Sequence, residues 1–227
     1  MRFYLLYFEK IELTDKGELL MFKSFVLASA GFLAPATVMA QTPVAISELP
    51  AGAYVLDKTH ASLTWRVMHM GLAKYTARFT DFDAELELNP ADVTQSKLMV
   101  KIDPTSIRTD YPYPEKKDFD AKLVNDENWF NAKAHPEMTY TATELTKLTD
   151  TTGKMTGNLT FLGVTKPVTL DVTFNGAMAE HPFTKKAAVG FSAHGTLNRS
   201  EWGMSHYIPM IGDEVELLIE VEFGQKG

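Results

Sequence analysis

Histidines are the side chains most able to do chemistry in this sequence, because it contains no cysteine. His60 and His69 could be taken for a metal pair, but a strand would hold residues nine positions apart at about 30 Å. We therefore predict that they share no metal, and HExxH spacing does not occur. His60 is predicted at the rim of the fold, where it bonds the backbone or meets a ligand head group.

Two further segments come close to catalytic or anion-binding motifs. The sequence GFSAH at 190–194 lacks the last glycine of G-x-S-x-G, and Ser192 falls within an alternating strand instead of a strand-to-helix turn. Arg199 could pair with a pyrophosphate head group, since a guanidinium suits phosphate oxygens, or with a carboxylate of the protein itself. The sequence thus predicts no catalytic residue, no metal ligand and no cofactor.

Composition limits the possible partners. Hydrophobic residues make up 45% and charged residues 22%, as in an ordinary globular domain, and the mean hydropathy of −0.12 excludes a polytopic membrane protein. A net charge of −7 makes nucleic acid or an anionic membrane surface a poor partner, unless a local basic patch overrides it.

The N-terminus has the pattern of an export signal. Residues 21–40 place one lysine before a run of apolar or small residues, with Val38 and Ala40 where signal peptidase requires small side chains. We predict a signal peptide over 21–40, cleavage after Ala40 and a periplasmic protein without an integral membrane span. Residues 1–20 carry four acidic side chains and are predicted to be an over-extended start. A cytoplasmic extension on an uncleaved anchor is the alternative.

A period of two dominates the rest of the chain. In the last such segment, 214–223, valine, leucine, isoleucine and phenylalanine alternate with glutamate, which is typical of a half-buried strand. The parity changes between Phe79 and Phe82, which predicts a bulge near Thr80 and Asp81 in a long bent strand. Turn residues at 150–153 and at Gly163 predict hairpins. The same alternation recurs at 63–67, 75–79, 83–88, 97–102, 138–142, 159–161, 166–174 and 187–197.

These strands predict an all-β antiparallel barrel or sandwich of about eight strands over 52–227, after an N-terminal linker at 41–51. The segment 112–132 mixes charged and aromatic residues and is predicted to form short helices across one opening. In a barrel the apolar faces meet inside, where about eight strands leave either a filled core or room for one small ligand. A ligand there must be largely hydrocarbon, because a polar one would lose its hydration. Both alternatives remain open.

Six segments in order resemble the YceI-like family. They are YVLDKTHASLTW at 54–65, FTDFDA at 79–84, KIDPTSIRT at 101–109, the stretch 117–136, GNLTFLGVTKPV at 157–168 and LNRSEWGM at 197–204. The resemblance covers about residues 52–223. It implies a lipocalin-like barrel, exported to the periplasm and often dimeric, whose apolar tunnel binds a polyisoprenoid, a quinone or a similar long-chain amphiphile. It implies no reaction.

The predicted function is therefore a periplasmic binding or carrier protein for such a lipid, with a homodimer as one option, and not an enzyme. An enzyme acting on a hydrophobic substrate and a ligand-free stress-response barrel are the alternatives. The residues predicted to contact the ligand are His60, Trp65, His69, Phe79, Phe82, Trp129, Phe130, Phe161, Phe191, Arg199 and Trp202.

Overall fold

The computed structural model describes residues 9–13, 19–23 and 44–227. In the N-terminal unit, β1 (Glu9–Leu13) pairs antiparallel with β2 (Leu19–Lys23). Positions 21–23 of the predicted signal peptide belong to β2. Positions 24–40, with the expected cleavage site, lie outside the described residues, so the signal peptide stays a prediction. None of the helices in the described ranges is long and apolar enough to cross a membrane.

The second unit contains an antiparallel sheet of eleven strands and one short α-helix, α1 (Phe119–Asn125). The strands are β3 (Gly52–Leu56), β4 (Ser62–His69), β5 (Ala73–Phe79), β6 (Phe82–Leu88), β7 (Lys97–Ile102), β8 (Ile107–Arg108), β9 (Met138–Lys147), β10 (Thr152–Phe161), β11 (Val164–Met178), β12 (Ala188–Asn198) and β13 (Ile211–Gln225).

Strand β13 closes this sheet into a barrel. One of its edges pairs with β12 along the whole of 214–224, while the other pairs with β4 between 211 and 220 and with β3 at 223–225. The ring therefore runs through eight strands, β3, β6, β7, β9, β10, β11, β12 and β13, and the predicted all-β antiparallel barrel is confirmed.

The alternating residues point to the two faces as predicted. In β6 the side chains of Phe82, Ala84, Leu86 and Leu88 are buried, whereas the carboxylates between them are exposed. Each such pattern fixes which face of a strand points into the barrel, because a shift of the pairing register by one residue would place the charged side chains inside. The barrel interior is consequently apolar.

The irregularity predicted near Thr80 and Asp81 is a two-residue break between β5 and β6. On its two sides the chain changes partners, since β5 pairs with β4 and β6 pairs with β3. The Thr80 N–H donates to the carbonyl of Ser106 at 3.1 Å, so the backbone stays paired at the break. Phe79 and Phe82 can then both face the interior, where each is 7% exposed.

At one end of the barrel, segment 109–137 replaces strand pairing. We call this end of the barrel the helix end. Strand β8 pairs only residues 78 and 79 of β5, so the wall between β8 and β9 is incomplete there. The Asp118 carboxylate caps α1 by accepting from the Ala121 N–H at 2.8 Å. Two side chains of this segment, Leu123 and Phe130, are buried. The expected position is correct, although one α-helix and turns replace several short helices.

The turns between β9 and β10 and between β11 and β12 lie at the opposite end. Residues 44–51 also pack there, where the Val44 N–H donates to the carbonyl of Ala177 at 3.1 Å. Leu49 is only 4% exposed. This part of the predicted linker therefore belongs to the barrel, because its apolar side chains pack against the core.

Candidate ligand tunnel

The barrel interior contains a cavity of about 1700 Å³. Sites for drug-sized ligands have volumes of about 300–1000 Å³, so this space suits a larger guest. Residues from both ends of the barrel line it, which makes it a tunnel along the barrel. Apolar side chains of most strands form its middle, among them Leu63, Phe82, Ala84, Leu86, Val168, Leu170, Val172, Ala193, Leu217, Ile219 and Val221.

The structure brings nine of the eleven predicted contact residues to the tunnel wall. They are Trp65, His69, Phe79, Phe82, Trp129, Phe130, Phe161, Phe191 and Arg199. The other two, His60 and Trp202, lie outside the tunnel.

His60 lies on the outer surface because a 3₁₀ turn at Lys58–His60 links β3 to β4. Its Nδ1 is 2.9 Å from an Asp57 carboxylate oxygen, and its side chain is 60% exposed. Hydrogen bonds from Thr59 and His60 hold the pKa of Asp57 down, to about 2. The same contact raises the pKa of His60. His60 lies 4.0 Å from Glu222, whereas His69 is opposite Ile211 on β13, so the two histidines lie near the two ends of β4 as predicted.

Trp202 and Arg199 organise the loop at the helix end. Trp202 is 2% exposed, and its indole N–H donates to the carbonyl of Leu159 at 3.2 Å. Arg199 is 3% exposed and donates to the carbonyl oxygens of Gly212, Met204, His206 and Ile211 at 2.8–3.0 Å. The carboxylate partner expected for Arg199 is replaced by backbone, which leaves little of its guanidinium for a head group.

Phe130 contacts three other aromatic residues that were predicted to bind the ligand, all at the helix end. Its ring centroid is 5.5 Å from Phe79, 5.9 Å from Phe161 and 6.4 Å from Trp65. Phe130 comes from the segment after α1, whereas its three partners come from β5, β10 and β4. The cluster therefore lines the helix end of the tunnel with side chains that are far apart in sequence.

Charge differs between the two ends of the tunnel. At the helix end the charged lining residues are Lys74, Lys117, Lys122 and Arg199, and of these Lys74 forms an ion pair with Glu216 at 3.2 Å. The acidic residues that line the tunnel in the described chain, Asp92, Glu144 and Asp150, all lie at the opposite end, with Lys97 and Lys147.

The three lysines of the helix end were missed by the sequence reasoning. For Lys117 and Lys122 a signal existed, because both lie in the segment predicted to cross an opening. By alternation, Lys74 should face solvent. In the structure its ammonium does point outward, where it donates to the Glu216 carboxylate at 3.2 Å, so Lys74 borders the opening without entering the tunnel. The edge of β5 is unpaired over Ala73–Ala77, and the tunnel opens between this edge and α1.

Deep in the tunnel, Tyr140 is neutral and fully bonded. Its hydroxyl lies 3.2 Å from the Met155 carbonyl and 3.3 Å from the Val168 carbonyl, and burial raises its pKa to about 12. The histidine and the carboxylates of the tunnel lining are confined to its ends. This arrangement can hold a hydrocarbon chain with a polar group at one end.

Comparisons with known proteins agree with this architecture. The family model of the YceI-like domain matches residues 54–223. A UPF0312 protein of Pectobacterium atrosepticum is 32% identical over 174 residues, which cover 76% of this chain and 86% of that protein. Protein YceI of Salmonella arizonae is 31% identical with the same coverage.

Solved structures extend the likeness to three dimensions. The crystal structure of a Campylobacter jejuni YceI protein has 30% identity and a TM-score of 0.61, covering 70% of this chain and 90% of that one. A polyisoprenoid-binding domain from Saccharophagus degradans has 13% identity and a TM-score of 0.56, covering 77% and 99%, and shows the shared fold. With the match running through nearly all of the barrel, this chain belongs to the YceI-like family.

Proposed function

We propose that this protein binds and carries a polyisoprenoid or a similar long-chain amphiphile in the periplasm. The observation that carries the proposal is the apolar tunnel of about 1700 Å³ through the barrel. A chain that leaves water for this space gains about 0.8 kcal/mol for each buried CH₂ group. The cost of ordering the chain offsets part of this gain, so long ligands are favoured over short ones.

The head group of the ligand is proposed to lie at the helix end. Lys117 and Lys122 line that opening, and Lys74 borders it in an ion pair with Glu216, while the acidic lining residues are at the other end. An ammonium group binds phosphate or carboxylate oxygens as a point charge. The arrangement therefore favours a ligand whose head group is anionic or rich in acceptors.

Two further observations support the ligand class and the compartment. The Saccharophagus degradans domain of the same fold is named for polyisoprenoid binding. Residues 21–40 have the composition of a secretory signal peptide. Binding is favoured over catalysis because the interior offers no paired acid and base among the described residues, and perturbed titratable pairs are what active sites need.

Ala193 and His194 provide a matched test of the tunnel. They are neighbours on β12, but Ala193 lines the tunnel, whereas His194 is exposed beside Asp171 on the outer face. Ala193→Trp should fill the middle of the tunnel and lower affinity for a fluorescent polyprenyl phosphate at least tenfold. His194→Trp should bind as the wild type does. Equal binding by both variants, with both folded by circular dichroism, would count against the proposal.

A further inference from the structure

Six large apolar side chains are exposed together at the helix end, and we call them the apolar rim. They belong to β4, the β4–β5 turn and the loop before β13, and they are Met68, Met70, Leu72, Tyr207, Ile208 and Met210. Leu72 is 85% exposed and Met70 58%. The barrel unit has twelve exposed large hydrophobic residues in its described chain, so half of them lie in this one place.

The two parts of the apolar rim form a continuous surface. The Met70 N–H donates to the carbonyl of Met210 at 2.6 Å, and His69 is opposite Ile211 in the β4–β13 ladder. Positive φ angles at Met70 and Gly71, 51° and 69°, form the tight turn from which Leu72 extends. Clusters of this kind on a monomer mark interaction surfaces, whereas single exposed apolar residues are normal.

The apolar rim borders the opening of the tunnel. Tyr207 belongs to both, and His69 and Ala73, which flank the β4–β5 turn, line the tunnel as well. Lys74 follows directly, and Lys117 and Lys122 line the same opening. Apolar side chains, lysines and the tunnel entrance therefore share one end of the barrel.

We propose that the apolar rim docks the barrel on a bilayer surface containing anionic phospholipid, with the tunnel opening facing the membrane. This step rests on the proposed function, since a bilayer is where a long-chain lipid resides. Apolar residues inserted at the interface, together with nearby lysines, give the combination that binds anionic membranes. The net charge of −7 opposes approach to such a surface, so the contact must be local and must rely on the rim.

A second copy of the chain suits this surface less well. A two-fold interface places the same patch on both partners. Lys117 and Lys122 of one copy would then come close to those of the other in an apolar contact. Phospholipid head groups would instead neutralise them.

Leu72→Asp tests the docking, with Phe183→Asp as its matched control. Phe183 is 88% exposed, but it lies in the β11–β12 loop at the opposite end. In flotation with vesicles of phosphatidylglycerol and phosphatidylethanolamine, Leu72→Asp should lower the partition coefficient at least about tenfold. Phe183→Asp should leave it unchanged. The double variant Lys117→Gln, Lys122→Gln should weaken binding at low salt and have less effect at high salt.

Three results would overturn the docking proposal. In the first, the wild-type protein does not float with the vesicles. In the second, the two aspartate variants float equally. In the third, the wild type binds no vesicles but forms a dimer in sedimentation velocity, and Leu72→Asp dissociates that dimer. Native mass spectrometry of the purified protein shows whether it retains a lipid, and this result distinguishes failure of the docking proposal from failure of the proposed function. Retained lipid without vesicle binding defeats the docking alone, and loss of both defeats both.

Discussion

At the scale of single residues, Arg199 is the most constrained side chain of the helix end. The residue is 3% exposed, and its guanidinium donates to two backbone carbonyls of the loop that precedes β13 and to two at the start of β13. Burial lowers its pKa, although not enough to remove the charge. A planar fork with several donors can reach all four carbonyls at once, which explains why arginine rather than lysine suits this position.

Arg199→Met should lower the free energy of unfolding by at least about 3 kcal/mol, because several buried carbonyls lose a charged donor. Arg199→Lys should recover less than half of that loss, since one ammonium cannot reach carbonyls arranged around a planar fork. Urea denaturation measures both variants. A loss below about 1 kcal/mol for Arg199→Met would show that water replaces the guanidinium.

Gly157 allows Tyr140 to lie in the tunnel wall. A Cβ at this position would overlap the Tyr140 ring and come within 2.7 Å of the Thr141 carbonyl oxygen. Gly157→Ala should therefore destabilise the protein by about 1–3 kcal/mol. Gly224→Ala is the control, because a Cβ there meets no atom within 4 Å.

Thermal unfolding compares the two alanine variants. Adding Tyr140→Leu to Gly157→Ala should restore part of the lost stability, since the ring is one of the two obstacles. A Gly157→Ala protein as stable as the wild type would mean that β10 shifts without cost.

At the scale of elements, the turn between β3 and β4 is fixed by Asp57. Its carboxylate accepts from the Thr59 N–H at 2.9 Å and contacts His60 at 2.9 Å. Because the folded pKa of Asp57 is about 2, its stabilising effect is present above the unfolded value and is lost as the pH falls through 2. For His60, whose pKa is raised, the effect is present below pH 6.5 and is lost as the pH rises through the folded value.

An NMR titration of His60 should give a pKa above its ordinary value of 6.5. Asp57→Asn should lower it, because the hydrogen bond and the charge of Asp57 are the main causes of the shift. A His60 pKa at or below 6.5 in the wild type would mean that the Asp57 contact is absent in solution.

The strands could be predicted from the sequence because the alternation of apolar and polar residues within each strand indicates which face is buried. The partners of Phe130 could not, since Phe79, Trp65 and Phe161 come from three distant strands. The opening beside β5 could not be predicted for a related reason, because an unpaired edge depends on the topology and not on local alternation. His60 lies on the outer wall and not at the predicted rim, because the turn at Asp57 joins two strands that both pair with β13.

At the scale of the whole molecule, an open tunnel and a filled core have the same sequence pattern. In both, one apolar face of every strand points inward, and only strand number, stagger and side-chain volume decide how much space remains. In this structure the space is about 1700 Å³. The asymmetry of charge between the ends likewise depends on which loops the topology brings together.

Native mass spectrometry of the protein purified from a bacterial periplasm, followed by extraction and analysis of lipids, tests the central claim most directly. We expect a stoichiometric adduct that is largely hydrocarbon with a polar head group, present in the wild type and in His194→Trp but reduced in Ala193→Trp. A wild-type protein that carries no lipid and takes up no added polyprenyl phosphate or quinone would contradict the carrier function.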